Sequence, residues 1–395
     1  MTLVADERSR LAPQHASPEP SAPSAWRRTL DAGWPDAPEP APLDPRQSAR
    51  ERILAAATVD LVALPVPKEF GGGGAGLLGA AAAQRRLGAV DPSLAVALNM
   101  HMLSTGLLAD HWRRNRDSSW MLLEALASEP FLIASAFAEP GGSSNILRSS
   151  TRAERTARGF RLTGVKFPCS LATTAEMFCL SAQIEGTDTT IVAGVPAASK
   201  GLCVTGGWHS LGMCASDTAR VELHGVEIES QLVFHEAASG SIDELVIGGL
   251  VWFVVLVSAT YHGALCALLD LAAEAPARAS SARREAALSA AAASLCAFGA
   301  SCRGLARDFD DGELTGEGAL LAAAALRLEL GATVERVVSG LRPLLGSAAY
   351  TLGSAASALV VDLLAAHHHP PSVPLAEALI AAIGAGRPPT LDLTA

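Results

Sequence analysis

The chain has 395 residues, 49% of them apolar, and a formal net charge of -10 with a pI near 5.5. That length sustains a large core and predicts two or three domains, while the acidic balance excludes nucleic acid and anionic membrane surfaces as expected partners and leaves a small molecule or a protein. Seven cysteines without a C-x-x-C pair predict neither a disulfide framework nor a zinc ribbon, but reduced, mostly buried thiols in a cytoplasmic protein.

In chain order, the opening MTLVADERSR lacks the apolar centre of a secretory signal. Residues 1–45, crowded with Pro, Ala and Ser, read as a flexible or loosely docked arm. Residues 46–130 read as a helical domain, because "RQSARERILAAATVDLV" and "GLLGAAAAQRRLGAV" place apolar side chains three and four apart. Between them "LPVPKEFGGGGAG" is a loop. In residues 131–237 the texture changes to short β-branched runs separated by Gly or Pro, the spacing of an antiparallel barrel or sandwich. Residues 238–395 carry four successive helical patterns, enough for a C-terminal four-helix bundle. The apolar run from Leu245 to Ala259 falls short of the roughly 18 residues a membrane span needs, and it is read as a buried helix.

The stretch "SAFAEPGGSSNILRSS" interrupts this pattern with Glu139, Pro140, Gly141, Gly142, Ser143 and Ser144, residues that stop a helix and favour turns. Taken alone it is a connection. Four segments in order change that reading: "LPVPKEFGGGGAG", "AEPGGSSN", "LTGVKFPCS" and "WHSLGMCASDTARVELHGVEI" resemble, at matching spacing, the "vPeeyGG.G", "TEPGaGSD", "l.G.K.fiT" and "w..lGmr.s.t..v.f.dv.v" motifs of the acyl-CoA dehydrogenase superfamily of flavoproteins. The resemblance spans Leu64 to Glu229. It implies a mostly α fold with a central β domain, and a homodimer or homotetramer.

By position, the resemblance implies flavin-contacting roles for Ala138, Gly141, Ser144, Cys169, Ser170 and Trp208, with the Ser170 hydroxyl facing the flavin and Ser144 contacting the substrate. Turn residues without bulk let the backbone approach a planar ring. FAD is the implied cofactor, and oxidation of an acyl thioester at Cα–Cβ, on CoA or a carrier protein, the implied reaction, with an electron-transfer flavoprotein as acceptor.

The chain departs from the family in three places. The first helix of the bundle offers "GGLVWFVVLV", without an acid where a catalytic Glu would stand, and Glu377 is the sole carboxylate near the chain's end. The pyrophosphate-clasping "R..FG" is replaced by "APARASSARREA", leaving Arg278 or Arg283 as substitutes. The tail "VDLLAAHHHPPS" is similar to the flavin-dependent monooxygenase branch, in which reduced FMN or FAD from a partner reductase activates O₂. There Asp362 and His369 have the matching spacing, with Val361 where that branch has Arg, and His369 and, from the first domain, His101 are the catalytic candidates, an imidazole near neutrality being suited to proton traffic. Against this stands a helix end capped by His367, His368 and His369 and stopped by Pro370 and Pro371. A third reading keeps the fold, drops the flavin and leaves a binding protein or a redox-neutral catalyst.

Overall fold

The computed structural model describes residues 25–44, 46–141, 145–276 and 280–392. The last part of the expected flexible arm is docked. Helix α1 (Ala25–Asp31) buries Leu30, Arg27 pairs with Asp270 at 2.8 Å, and Asp31 pairs with Arg85. Trp34 follows, with the guanidiniums of Arg85 and Arg303 each 5.4 Å from its ring. Trp26 and Trp34, both packed on the core, and these ion pairs anchor what Pro-rich composition alone would leave loose.

The first helical layer contains α2 (Ala49–Ala56), α3 (Val59–Val62), α4 (Leu77–Val90), α5 (Pro92–Asn115) and α6 (Trp120–Ser128). Capping sets two of these starts. Ser48 and Glu51 form a reciprocal box at α2, and Asp91 accepts from Leu94 N at α5, with Pro92 at the first helical position.

The central strands are β1 (Ile133–Ser135), β2 (Arg152–Arg155), β3 (Gly159–Cys169), β4 (Met177–Ile184), β5 (Thr189–Pro196), β6 (Leu202–Thr205), β7 (Ala219–Glu229) and β8 (Val233–Ala238). They form one sheet in the order β6-β7-β3-β2-β4-β5-β8, with β1 beside β4. The sheet is mixed rather than purely antiparallel. The hairpin neighbours are antiparallel, but β1 and β2 both run parallel to β4, because each reaches it from outside a hairpin.

The C-terminal bundle has three long helices, α7 (Glu244–Glu274), α8 (Ser281–Asp310) and α9 (Gly316–Leu345). The expected fourth is shorter and broken. After α9 the chain turns through Gly346 and Gly353, both at positive φ, before α10 (Ala355–Leu364) and α11 (Val373–Gly384). Helix α7 runs to 31 residues, twice the apolar stretch legible in the sequence; its most apolar window is 78% buried in the bundle, against 33% for that of α8, and both are long and apolar enough to cross a membrane. Close approach seats α7 against the first layer. A Cβ on Gly88 would lie 2.2 Å from Thr260 O, and one on Gly263 only 1.9 Å from Arg85 O, so neither site admits any other residue.

Candidate functional site

Two neighbouring features meet where α5, the sheet and the start of α7 converge. The first is the turn that opens the β domain. The Glu139 carboxylate accepts from Lys166 Nζ at 2.5 Å, Ser149 Oγ at 2.6 Å, Ser150 N and Oγ at 2.6 Å each and Thr151 Oγ1 at 2.8 Å. Lys166 also donates to Ser181 O at 2.7 Å. Burial alone would raise the Glu139 carboxyl, but the Lys166 ammonium and these donors bring it down to about 2. The ion pair is inside the protein, with side-chain exposures of 4% and 0%. The turn is thereby fixed from both sides, and Ala138 is left exposed, its carbonyl accepting from Phe167 N at 2.9 Å. Gly141 has φ +67, and among the described residues nothing lies within 4 Å of where a Cβ would stand. Ser144 lies outside the described residues.

On the far side of β3, Ser170 is half-buried and shares a hydrogen bond of 2.9 Å with Thr218 Oγ1, which in turn meets Ser216 Oγ at 2.8 Å. Two loops carry this hydroxyl chain, and they hold three non-glycine residues in the left-handed region: Leu171 at φ 65, Met213 at φ 57 and Asp217 at φ 50. Each such residue costs on the order of 1–3 kcal/mol and persists only where its surroundings dictate it. Here the surroundings are explicit. Leu171 N donates to Ser216 O, the Asp217 carboxylate accepts from Thr173 and Thr174, and Met213 N donates to Asp362 Oδ1 at 2.6 Å. Gly212 makes that last contact possible, since a Cβ there would sit 2.8 Å from the same oxygen. Burial raises the Asp362 carboxyl to about 6, against the pull of Met213 N and Arg52. Cys169 does not join this group. It is fully buried, and burial pushes its thiol up to about 12, so its side chain belongs to the core. Trp208 stands in an exposed loop beyond β6.

The two imidazoles singled out from the sequence have different fates. His101 is buried with both nitrogens used. Nε2 donates to Val62 O at 2.8 Å and Nδ1 accepts from Ile133 N at 3.1 Å, so the ring ties α3, α5 and β1 together as a neutral group, with burial lowering its pKa to about 4. His101 thus serves as a tether between these elements. His369 lies against Phe253 and Tyr261, with Nε2 2.9 Å from the Tyr261 hydroxyl. Its carbonyl is clamped by Arg327 at 3.0 and 3.1 Å. Burial, then the Arg327 charge, lower the His369 ring to about 4, which corrects the expectation of a group titrating near neutrality. His367 turns instead toward Gly331 and Glu335, and His368 toward solvent. Glu377 is exposed on α11, Arg283 is exposed on α8, and Arg278 lies outside the described residues.

The second feature is an apolar cavity, about 600 Å³ counting the part open to solvent. Leu107, Leu108 and His111 of α5 form one wall, Met177, Cys179, Val192 and Gly194 of the sheet another, and Phe234, His235 and Leu245 close it at the start of α7. Phe137, one residue before Ala138, lines it as well, which sets the cavity beside the turn. None of its fifteen lining residues is acidic. His111 and His235 are its only titratable groups besides Cys179, whose thiol burial pushes up to about 12. Sequence reasoning missed both histidines, since neither sits in a motif.

Comparison with known proteins places this architecture. Residues 36–112 match the family model described as acyl-CoA dehydrogenase, N-terminal domain. The butyryl-CoA dehydrogenase of Megasphaera elsdenii superposes with a TM-score of 0.75 at 15% identity, covering 85% of this chain and 90% of that one. This chain has the acyl-CoA dehydrogenase fold, and its residues 36–112 match that family's N-terminal domain. In sequence it is similar to an isobutylamine N-hydroxylase of Streptomyces viridifaciens, 33% identical over 219 residues, or 53% of this chain and 58% of the relative. It therefore spans little more than half the length of that curated relative. A nitrososynthase from Micromonospora carbonacea var. africana has the same fold, with a TM-score of 0.74 at 24% identity over 85% of this chain and 89% of that one.

Proposed function

We propose that this protein is a flavin-dependent oxidoreductase that N-hydroxylates a small aliphatic primary amine, using reduced flavin delivered by a partner reductase and O₂. The observation that carries this reading is the cavity: apolar on nearly every side, free of carboxylates, and furnished with two imidazoles. Proton abstraction beside a thioester carbonyl calls for a poised carboxylate base, whereas an amine needs only a group that takes the ammonium proton and apolar space for its alkyl part. The similarity to an isobutylamine N-hydroxylase supports the same substrate class.

The residues present fit a flavin on the side of its ring. The half-buried Ser170 hydroxyl, oriented by the buried Thr218 and Ser216 hydroxyls, offers a hydrogen bond, and the turn at Ala138 and Gly141 offers close approach without bulky side chains. When bound, a reduced flavin supplies two electrons to O₂, so the sum is amine + O₂ + reduced flavin giving hydroxylamine + water + oxidised flavin. Self-association belongs to the same reading, since Leu211, Tyr350 and Leu352 are 83%, 92% and 85% exposed and a partner copy would cover them.

The test pairs two assays on the purified protein. Isobutylamine with a flavin reductase, NADH and O₂ is expected to yield the hydroxylamine, and a panel of acyl-CoA thioesters with an artificial electron acceptor is expected to stay unoxidised. Thioester turnover without amine oxidation would contradict the reading.

A further inference from the structure

His235 stands on β8 at the cavity wall, and its Nε2 is 2.7 Å from Asp243 Oδ2. Asp243 is itself held in place, as the N-cap of α7: its other oxygen accepts from Leu245 N at 3.0 Å and Val246 N at 3.1 Å. A carboxylate fixed against Nε2 selects the tautomer with the proton on that nitrogen and leaves a lone pair on Nδ1. Nδ1 makes no hydrogen bond among the described residues. The other imidazole in the cavity lacks this freedom, because His111 has Asp117 at 2.9 Å from Nε2 and the Asn115 amide at 3.0 Å from Nδ1. We propose that His235, oriented by Asp243, is the base that takes the proton of an alkylammonium substrate as it enters the cavity. This rests on the amine reading above and adds the residue that would make it work.

The chemistry balances within the pair: the N–H bond of the ammonium breaks, its electron pair stays on nitrogen as the nucleophile, and the proton moves to Nδ1. In water an alkylammonium of pKa about 10 would not yield its proton to an imidazole. In an apolar cavity the balance shifts, since desolvation lowers the pKa of an ammonium by up to about 3–5 units. The imidazolium that forms is stabilised by Asp243, whose carboxyl is held below its usual range by the His235 ring and the helix-start amides, in spite of burial. Other charges near the dyad are occupied. Glu236, on the opposite face of β8, pairs with Arg155 at 3.7 Å, and Glu244 pairs with Arg114 at 3.7 Å. The His235 and Asp243 side chains are 26% and 30% exposed, so the proton can leave to solvent after each turnover.

Two measurements test the assignment. In flavin-free protein labelled with ¹⁵N at histidine, saturation with isobutylamine at pH 7.5 is expected to convert the His235 ring from neutral to cationic, while isobutanol leaves it neutral. In the turnover assay, His235→Asn is expected to lower kcat/KM about 100-fold at pH 7, with the deficit shrinking as pH rises toward 10 and free amine becomes abundant. Asp243→Asn keeps the helix cap and is expected to lower kcat/KM about 10-fold and to move the pH profile to lower pH, which loss of a merely structural contact would not do. A ring that stays neutral on amine binding, or a His235→Asn enzyme with the wild-type pH profile, overturns the proposal. A wild-type ring that gains the proton while no alkylamine is oxidised overturns the N-hydroxylase reading alone and leaves the dyad's assignment standing.

Discussion

The turn at Glu139 and the cavity beside it share strands and differ in almost every physical respect. At the turn, a Glu139–Lys166 ion pair with side-chain exposures of 4% and 0% is saturated by six donors to the carboxylate, from Lys166, Ser149, Ser150 and Thr151. In the cavity wall, apolar side chains surround two imidazoles, and one ring nitrogen of His235 has no partner among the described residues. A fully satisfied polar web rigidifies what it touches, whereas an unpaired acceptor facing apolar space is a group prepared for a ligand. The segment with the strongest motif is thus a rigid frame, and the unpaired imidazole nitrogen sits where the sequence carries no motif.

This contrast can be broken or sharpened by mutation, beginning with the largest effect. Glu139→Gln strands the Lys166 ammonium in the interior and is expected to cost about 3–5 kcal/mol at pH 7, read by urea denaturation. The Glu139 carboxyl lies near 2 in the fold against an ordinary 4.5, so its stabilisation is present above about 4.5 and is lost as pH falls toward 2. The deficit of the variant should shrink over that same range. A pH-independent deficit would detach the turn from the ion pair.

Val192→Phe adds a ring to the cavity wall and is expected to lower kcat/KM for isobutylamine at least 10-fold with the flavin spectrum unchanged. Unaltered kinetics would move the substrate elsewhere. Asp362 is a smaller case of opposite sign. Its carboxyl is raised from 3.8 to about 6, so the folded chain holds a proton that the unfolded chain has lost, and stability falls as pH rises through that interval. Asp362→Asn is accordingly expected to gain about 1–2 kcal/mol at pH 8 and nothing at pH 4, by thermal melts; an equal shift at both would refute the burial argument. Ser170→Ala is the mildest, a loss of about 1 kcal/mol in flavin affinity, and unchanged titration of flavin absorbance would remove Ser170 from the site.

Much of the fold was legible because it rests on local rules. The Ala-rich helices, the Pro and Gly breaks, the β-branched block and the four motifs from Leu64 to Glu229 all act over short distances, and the architecture follows from their order. The docked arm was not legible, because Trp34 gains its place from Arg85 and Arg303, far along the chain. Nor was the fate of the histidines. The sequence pointed to His101 and passed over His235, and what separates them is tertiary: Val62 O and Ile133 N consume both nitrogens of the first, while Asp243, eight residues on, engages only one of the second. His369 was flagged by its tail motif, but the Arg327 clamp and the Phe253 and Tyr261 rings that hold it half-buried are contributed by other helices.

What the cavity admits decides the reaction. Isobutylamine incubated with the protein, a flavin reductase, NADH and ¹⁸O₂ should give a hydroxylamine carrying one ¹⁸O atom by mass spectrometry, and Val192→Phe should suppress it. Recovery of unreacted amine alongside a desaturated acyl-CoA from the parallel thioester assay would contradict it.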